Sequence, residues 1–245
     1  MMQTTIDDLT ALRLFGMAQA LEEQMNSHAY GDLDFEERLS MLVEKEMHAR
    51  DNRRLSMLLR RARLRYPNAC VEELDFKASR GLHKPAILQF AGGDWIRKHR
   101  NLIITGPTGV GKTYLACALG VAACRDGISC LYLRLPRLLE ELKIAHADGS
   151  YVKLLARISR VQLLIVDDWG LTPLTDAQRR DFLEITEDRH NVRSTIISTQ
   201  YPVSKWHKII DDPTIADAIC DRLVHNAHNL NLKGESMRKL KAGLT

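Results

Sequence analysis

The octapeptide Gly106-Pro107-Thr108-Gly109-Val110-Gly111-Lys112-Thr113 has the spacing G-x-x-x-x-G-K-[ST]. This pattern gathers backbone N–H groups into a cradle for phosphate oxygens. Lys112 is expected to reach the β- and γ-phosphates of a nucleoside triphosphate, and the Thr113 hydroxyl to sit on Mg²⁺. Further on, the apolar run Val161-Gln162-Leu163-Leu164-Ile165-Val166 ends in Asp167-Asp168. Asp167 is the candidate metal contact, directly or through water, and Asp168 the candidate to polarise an attacking water. A polar side chain closing Ser194–Gln200 could touch the γ-phosphate or orient water, and a plain strand-end turn before Pro202 is an equal reading.

The elements that must position these groups are legible as patterns. Asn101–Thr105 reads as a short buried strand and Tyr114–Ala123 as an apolar helix, so the loop lies at a helix N-terminus, where anions are favoured. Ser129–Leu133 reads as a second strand, and Pro136 opens a helix carrying Leu138, Leu139 and Leu142. Helices are expected over 174–189, 203–210 and 214–225, with a strand at 194–200 between the first two. This order implies an α/β, three-layer P-loop fold with a parallel sheet whose ligands bind at the strands' C-terminal edges. Ahead of it, Leu9, Leu12, Leu21 and Met25 predict a helix over 7–25. A second helix opens at Asp34, with Glu37 completing a capping box, and runs toward Tyr66-Pro67 with a break near Asp51-Asn52. The expected organisation is a helical N-terminal domain at 1–66, a linker at 67–85 and a nucleotide-binding domain at 86–245.

Across 245 residues, 45% hydrophobic and 27% charged, the composition is that of a soluble globular protein. No run of about eighteen apolar residues is present, so no membrane span is expected. The start Met1–Asp8 lacks the marks of a signal peptide. Five cysteines without a C-x-x-C pair suggest reduced, packed thiols and a cytoplasmic home. The net charge is only +4, but its placement is uneven. Arg50, Arg53, Arg54, Arg60, Arg61, Arg63 and Arg65 share their segment with a single acid, Asp51. Three readings are open: a solvated basic face, a contact to nucleic-acid phosphates, or a membrane-surface helix. No aromatics are interleaved, so base stacking is not indicated.

Taken in order, GPTGVGKT, LLIVDDWG, STIISTQ, CDRLVH and GESMR resemble the AAA+ ATPases of the IstB/DnaC-like group, most closely the IstB transposition helpers of insertion sequences. The resemblance covers nearly the whole chain and is strongest after about residue 85. It assigns Lys112 and Thr113 to Walker A, Asp167 and Asp168 to Walker B, and Gln200 to sensor 1. It also implies that Arg222 is an arginine finger for a neighbouring subunit, with Arg189 a backup, and that Arg238 is sensor 2. ATP is the implied nucleotide; the absence of a guanine-reading N-K-x-D agrees with this. Duplex DNA, a cognate transposase and further copies of the chain are the implied partners. A DnaC-type helicase loader is the alternative. A non-hydrolysing nucleotide-dependent scaffold or a small-molecule kinase would be different classes again. In the wider AAA+ group Walker B usually ends Asp-Glu. Here Asp168 is one methylene shorter, and since a misplacement of about 1 Å can cost roughly 100-fold in rate, slow, switch-like hydrolysis is expected.

Overall fold

The computed structural model describes residues 2–76 and 80–237, in two compact units, Met1–Met57 and Leu58–Thr245. In the first unit are α1 (Met2–Ala11), α2 (Phe15–Asn26) and most of α3 (Phe35–Ala62). The helix expected over 7–25 is therefore two, divided where Arg13 takes a left-handed φ of 61°. The expected break near Asp51-Asn52 is absent, and α3 is continuous for 28 residues. Its middle is braced by Glu46, which accepts from Arg50 four residues on at 2.7 Å and from Arg53 at 3.2 Å. Glu46 also accepts from the N–H groups of Gly16 (2.7 Å) and Met17 (3.3 Å), so an acid on α3 caps the N-terminus of α2. The approach is close: a methyl group on Gly16 would lie 2.7 Å from Glu46 Cα.

The second unit is built on a parallel five-stranded sheet. After α4 (Lys84–Ala91) and α5 (Asp94–Arg97) come β1 (Asn101–Thr105), α6 (Lys112–Arg125), β2 (Cys130–Arg134), α7 (Leu135–Asp148), α8 (Tyr151–Arg160) and β3 (Leu163–Trp169). Then follow α9 (Asp176–Arg189), β4 (Ser194–Thr199), α10 (Trp206–Ile210), α11 (Pro213–Val224) and β5 (Ala227–Asn231). The strand order is β2-β3-β4-β1-β5. Successive side chains alternate faces. On β3, Leu164 and Val166 join the buried cluster formed with α7, α9 and α11, while Ile165 faces α6 beside Gly120. Helices thus cover both faces, as near-continuous apolar strands require. The phosphate loop joins β1 to α6, and the acidic pair ends β3.

Sequence patterning missed α8 and β5. In α8, Lys153, Arg157 and Arg160 interrupt the apolar spacing, although Leu155 and Ile158 are buried. The β5 sequence, Ala-His-Asn-Leu-Asn, is too polar to announce a strand, yet it pairs along the whole of β1 at the sheet edge. Residues 67–76, read as linker, carry Ala69, Val71 and Leu74 in buried positions. Cys117, Cys124 and Cys130 are buried free thiols, and burial pushes Cys117 and Cys124 up to about 11.

Candidate nucleotide-binding site

The loop leaves β1 after Thr105 and enters α6 at Lys112 through Gly111, whose φ is 105°. Buried Val110 anchors it from below. Gly106, at φ 147°, has no room for a side chain: a Cβ would run into the carbonyl oxygen of Leu232. That contact belongs to a strap, residues 232–237, laid along the loop. Leu232 N donates to Thr105 O (2.8 Å) and Met237 N to Gly109 O (3.0 Å). The Lys112 ammonium donates to the carbonyls of Gly106 (2.7 Å) and Pro107 (2.9 Å). Burial lowers its pKa, and the charges of Asp167 and Asp168 counter that shift.

Thr113 and the acidic pair meet across the sheet edge. Asp167 is 1% exposed. Its Oδ2 accepts from Thr113 Oγ1 and from Tyr132 Oη, each at 2.8 Å. Its Oδ1 is buried without a hydrogen-bond partner among the described residues. Such an acceptor, beside a threonine hydroxyl, is suited to a hard divalent cation. Burial, followed by the charge of Asp167, raises the Tyr132 pKa far above the usual phenol value, so the hydroxyl stays a donor. Asp168 is different. Pairing of β3 with β4 slips by one residue between Val166 and Trp169, and Asp168 takes φ 61° within this bulge. Its Oδ2 is held by Arg134 at 2.7 Å.

A cavity of about 480 Å³ opens beside these groups, lined by Lys112, Thr113, Asp168 and Gln200 together with residues that motifs did not mark: Arg65, Tyr66 and Arg80. Burial acts to lower the Arg65 pKa, but its nearness to Tyr66, Tyr132 and Asp167 more than offsets this and raises it. Arg80 is 5% exposed and donates to the Val110 carbonyl at 3.4 Å. No local spacing announces these three. They arrive through segments before the sheet, and Tyr132 and Arg134 were hidden in an ordinary apolar strand.

Arg222, on α11, donates to Ala218 O and pairs with Glu187 at 2.9 Å, with 23% of its side chain exposed. It does not line the chain's own cavity. Arg189 is 2% exposed and donates to Thr195 Oγ1 and to the carbonyls of Ile158, Val161 and Ser194. An arginine so enclosed has no reach to a second subunit; it pins α9 to the sheet. Arg238 lies outside the described residues. Of the arginine run, Arg50 and Arg53 bind Glu46, Arg65 enters the nucleotide cavity, and Arg60, Arg61 and Arg63 line a separate groove.

Comparisons with known proteins agree with this geometry. The family described as IstB-like ATP binding protein matches residues 7–243. An insertion sequence ATP-binding protein of Sinorhizobium fredii is 51% identical over 96% of both chains. The IS1162 ATP-binding protein of Pseudomonas fluorescens is 52% identical over 83% of this chain and 88% of its own. Among solved structures, the DnaC helicase loader superposes with a TM-score of 0.59 at 25% identity, covering 69% of this chain and 99% of the loader. With its phosphate loop, acidic pair and parallel sheet, the chain belongs to the IstB-like family of insertion sequence ATP-binding proteins and has the AAA+ P-loop fold.

Proposed function

We propose that the protein is a slow ATPase that assembles on duplex DNA in an ATP-dependent manner and assists the transposase of its insertion sequence. The observation that carries the nucleotide half is the convergence of Lys112, Thr113 and Asp168 on one cavity at the sheet's C-terminal edge, with buried Asp167 hydrogen-bonded to Thr113. Lys112 exchanges its two loop carbonyls for β- and γ-phosphate oxygens. Thr113 and the free oxygen of Asp167 would hold Mg²⁺, which when bound would offset phosphate charge. Asp168 orients the attacking water once it leaves Arg134, and Gln200 lines a small cavity with Lys112 and Asp168. Arg222 of one copy completes the site of the next, and Arg238 keeps the sensor-2 role that the resemblance implies. The protein acts in the cytoplasm, where its buried free thiols remain reduced.

The DNA half rests on the relatives and on the cationic surface. The likeness to the helicase loader favours one rival, in which the N-terminal helices hold a replicative helicase. Fluorescence anisotropy with labelled duplex and no helicase separates the two. Binding that requires ATP·Mg²⁺ and fails in Lys112→Ala is the expected result. No duplex binding in any nucleotide state, with capture of a helicase, would overturn the proposal.

A further inference from the structure

Apart from the nucleotide cavity, the second unit has a groove of about 760 Å³ between the last turn of α3 and α8. Six cationic side chains line it: Arg60, Arg61 and Arg63 from one wall, Lys153, Arg157 and Arg160 from the other. No carboxylate is among the described residues that line it. Only Arg157 has an ion pair, with Glu141 at 3.3 Å; the other five have none among the described residues. All six are exposed. Arg63 owes its direction to a left-handed φ of 51°, which ends the helix and turns the chain.

We infer that this groove is the phosphodiester-binding surface of the protein, gripping one strand of duplex DNA through its backbone. The inference rests on the DNA-binding reading above and sharpens it, because it divides the arginine run by task and adds a wall from α8. A solvated basic face needs only one helix. Here two segments far apart in sequence bring like charges together in a concavity, where they repel each other and focus a positive field until an anion enters. Five of the six are arginines, whose planar fork matches phosphate oxygens in pairs. The lining has no aromatic ring for stacking single-strand bases. It also lacks the Asn, Gln and Asp side chains that read base edges, so it suits backbone contact with little sequence preference. Arg65, two residues past Arg63, lines the nucleotide cavity, so a short stretch of chain joins the groove wall to that cavity.

The test is a salt series of duplex binding by the full chain under ATP·Mg²⁺, read by anisotropy. Wild type is compared with the triple variant Lys153→Ala/Arg157→Ala/Arg160→Ala and with the charge-keeping variant Arg157→Lys/Arg160→Lys. Titration with a fluorescent ATP analogue confirms that each variant is folded. Each lost phosphate contact removes roughly 0.9 from the slope of log K against log salt. The triple variant should therefore have a slope shallower by about 2–3, and its deficit should shrink roughly 40-fold between about 50 and 200 mM salt. The lysine variant should keep the wild-type slope. A triple variant with the wild-type slope and affinity would overturn the groove and leave the DNA-binding reading standing. Wild type that binds no duplex in any nucleotide state would sink that reading, and the groove with it. Displacement of the duplex by polyglutamate at equal charge, as readily as by unlabelled DNA, would overturn the phosphate assignment.

Discussion

Asp168 occupies a backbone conformation that few residues other than glycine adopt, at a bulge where one extra residue interrupts the ladder to β4. The bulge turns its carboxylate away from Asp167 and toward Arg134. A carboxylate tied in an ion pair is poorly placed to take a proton from water, so the role proposed for Asp168 requires this contact to open first. The pair is partly exposed, at 47% and 26%, and such pairs are worth about 0.2–1 kcal/mol. Arg134→Ala should accordingly raise unstimulated phosphate release about 1.4- to fivefold; a fall would show that the guanidinium serves the reaction instead. Asp167 is under the opposite constraint, since it is buried and must keep its donors. Tyr132→Phe removes one of them and should lower the unfolding free energy of the nucleotide-free protein by about 1–3 kcal/mol. Unchanged denaturant unfolding would contradict that role.

At the scale of elements, the helical unit depends on an interaction between helices. Glu46 supplies the cap that α2 lacks locally, its own N-cap position being Leu14 without a side-chain bond. Glu46→Gln should destabilise the protein by about 0.5–2 kcal/mol, the range for lost caps. Although partial burial opposes it, hydrogen bonds from Arg50, Gly16 and Met17 hold the Glu46 pKa below the ordinary value of 4.5. A depressed carboxylate pKa stabilises the fold above the unfolded value and ceases to do so as pH falls through the folded one. The gap between wild type and Glu46→Gln in thermal unfolding should therefore be full above pH 4.5 and close below it. A gap independent of pH would rule out the charged cap. Such long-range dependence explains what the sequence could and could not reveal. The phosphate loop and β3 were legible because a motif lay inside an apolar strand pattern. The bulge at Asp168, the cap at Glu46 and the entry of Arg65 and Arg80 into the cavity are set by tertiary packing, which leaves no local periodicity. For α8 and β5, the charged and polar residues that bear on surface or edge masked the pattern itself.

For the whole molecule, the excess of positive charge is slight, but its distribution gives two basic surfaces with different work. One lines the candidate nucleotide cavity through Lys112, Arg65 and Arg80; the other is the α3–α8 groove. Arg222 lies away from the chain's own cavity and is held by Glu187 on α9. The finger role proposed for it therefore requires a second copy, and an exchange of Glu187 for a neighbour's γ-phosphate. In that proposal ATP acts as the bond between subunits, with hydrolysis as the timer that releases it. The most direct test is light scattering of the full chain with and without a duplex of about 60 base pairs, long enough for several contacts. It is run under ATP·Mg²⁺, ADP·Mg²⁺ and no nucleotide. The account predicts assemblies larger than a single copy on DNA with ATP alone, lost in Arg222→Ala while that variant still binds ATP. The same mass on DNA in all three nucleotide states, or full assembly by Arg222→Ala, would contradict it.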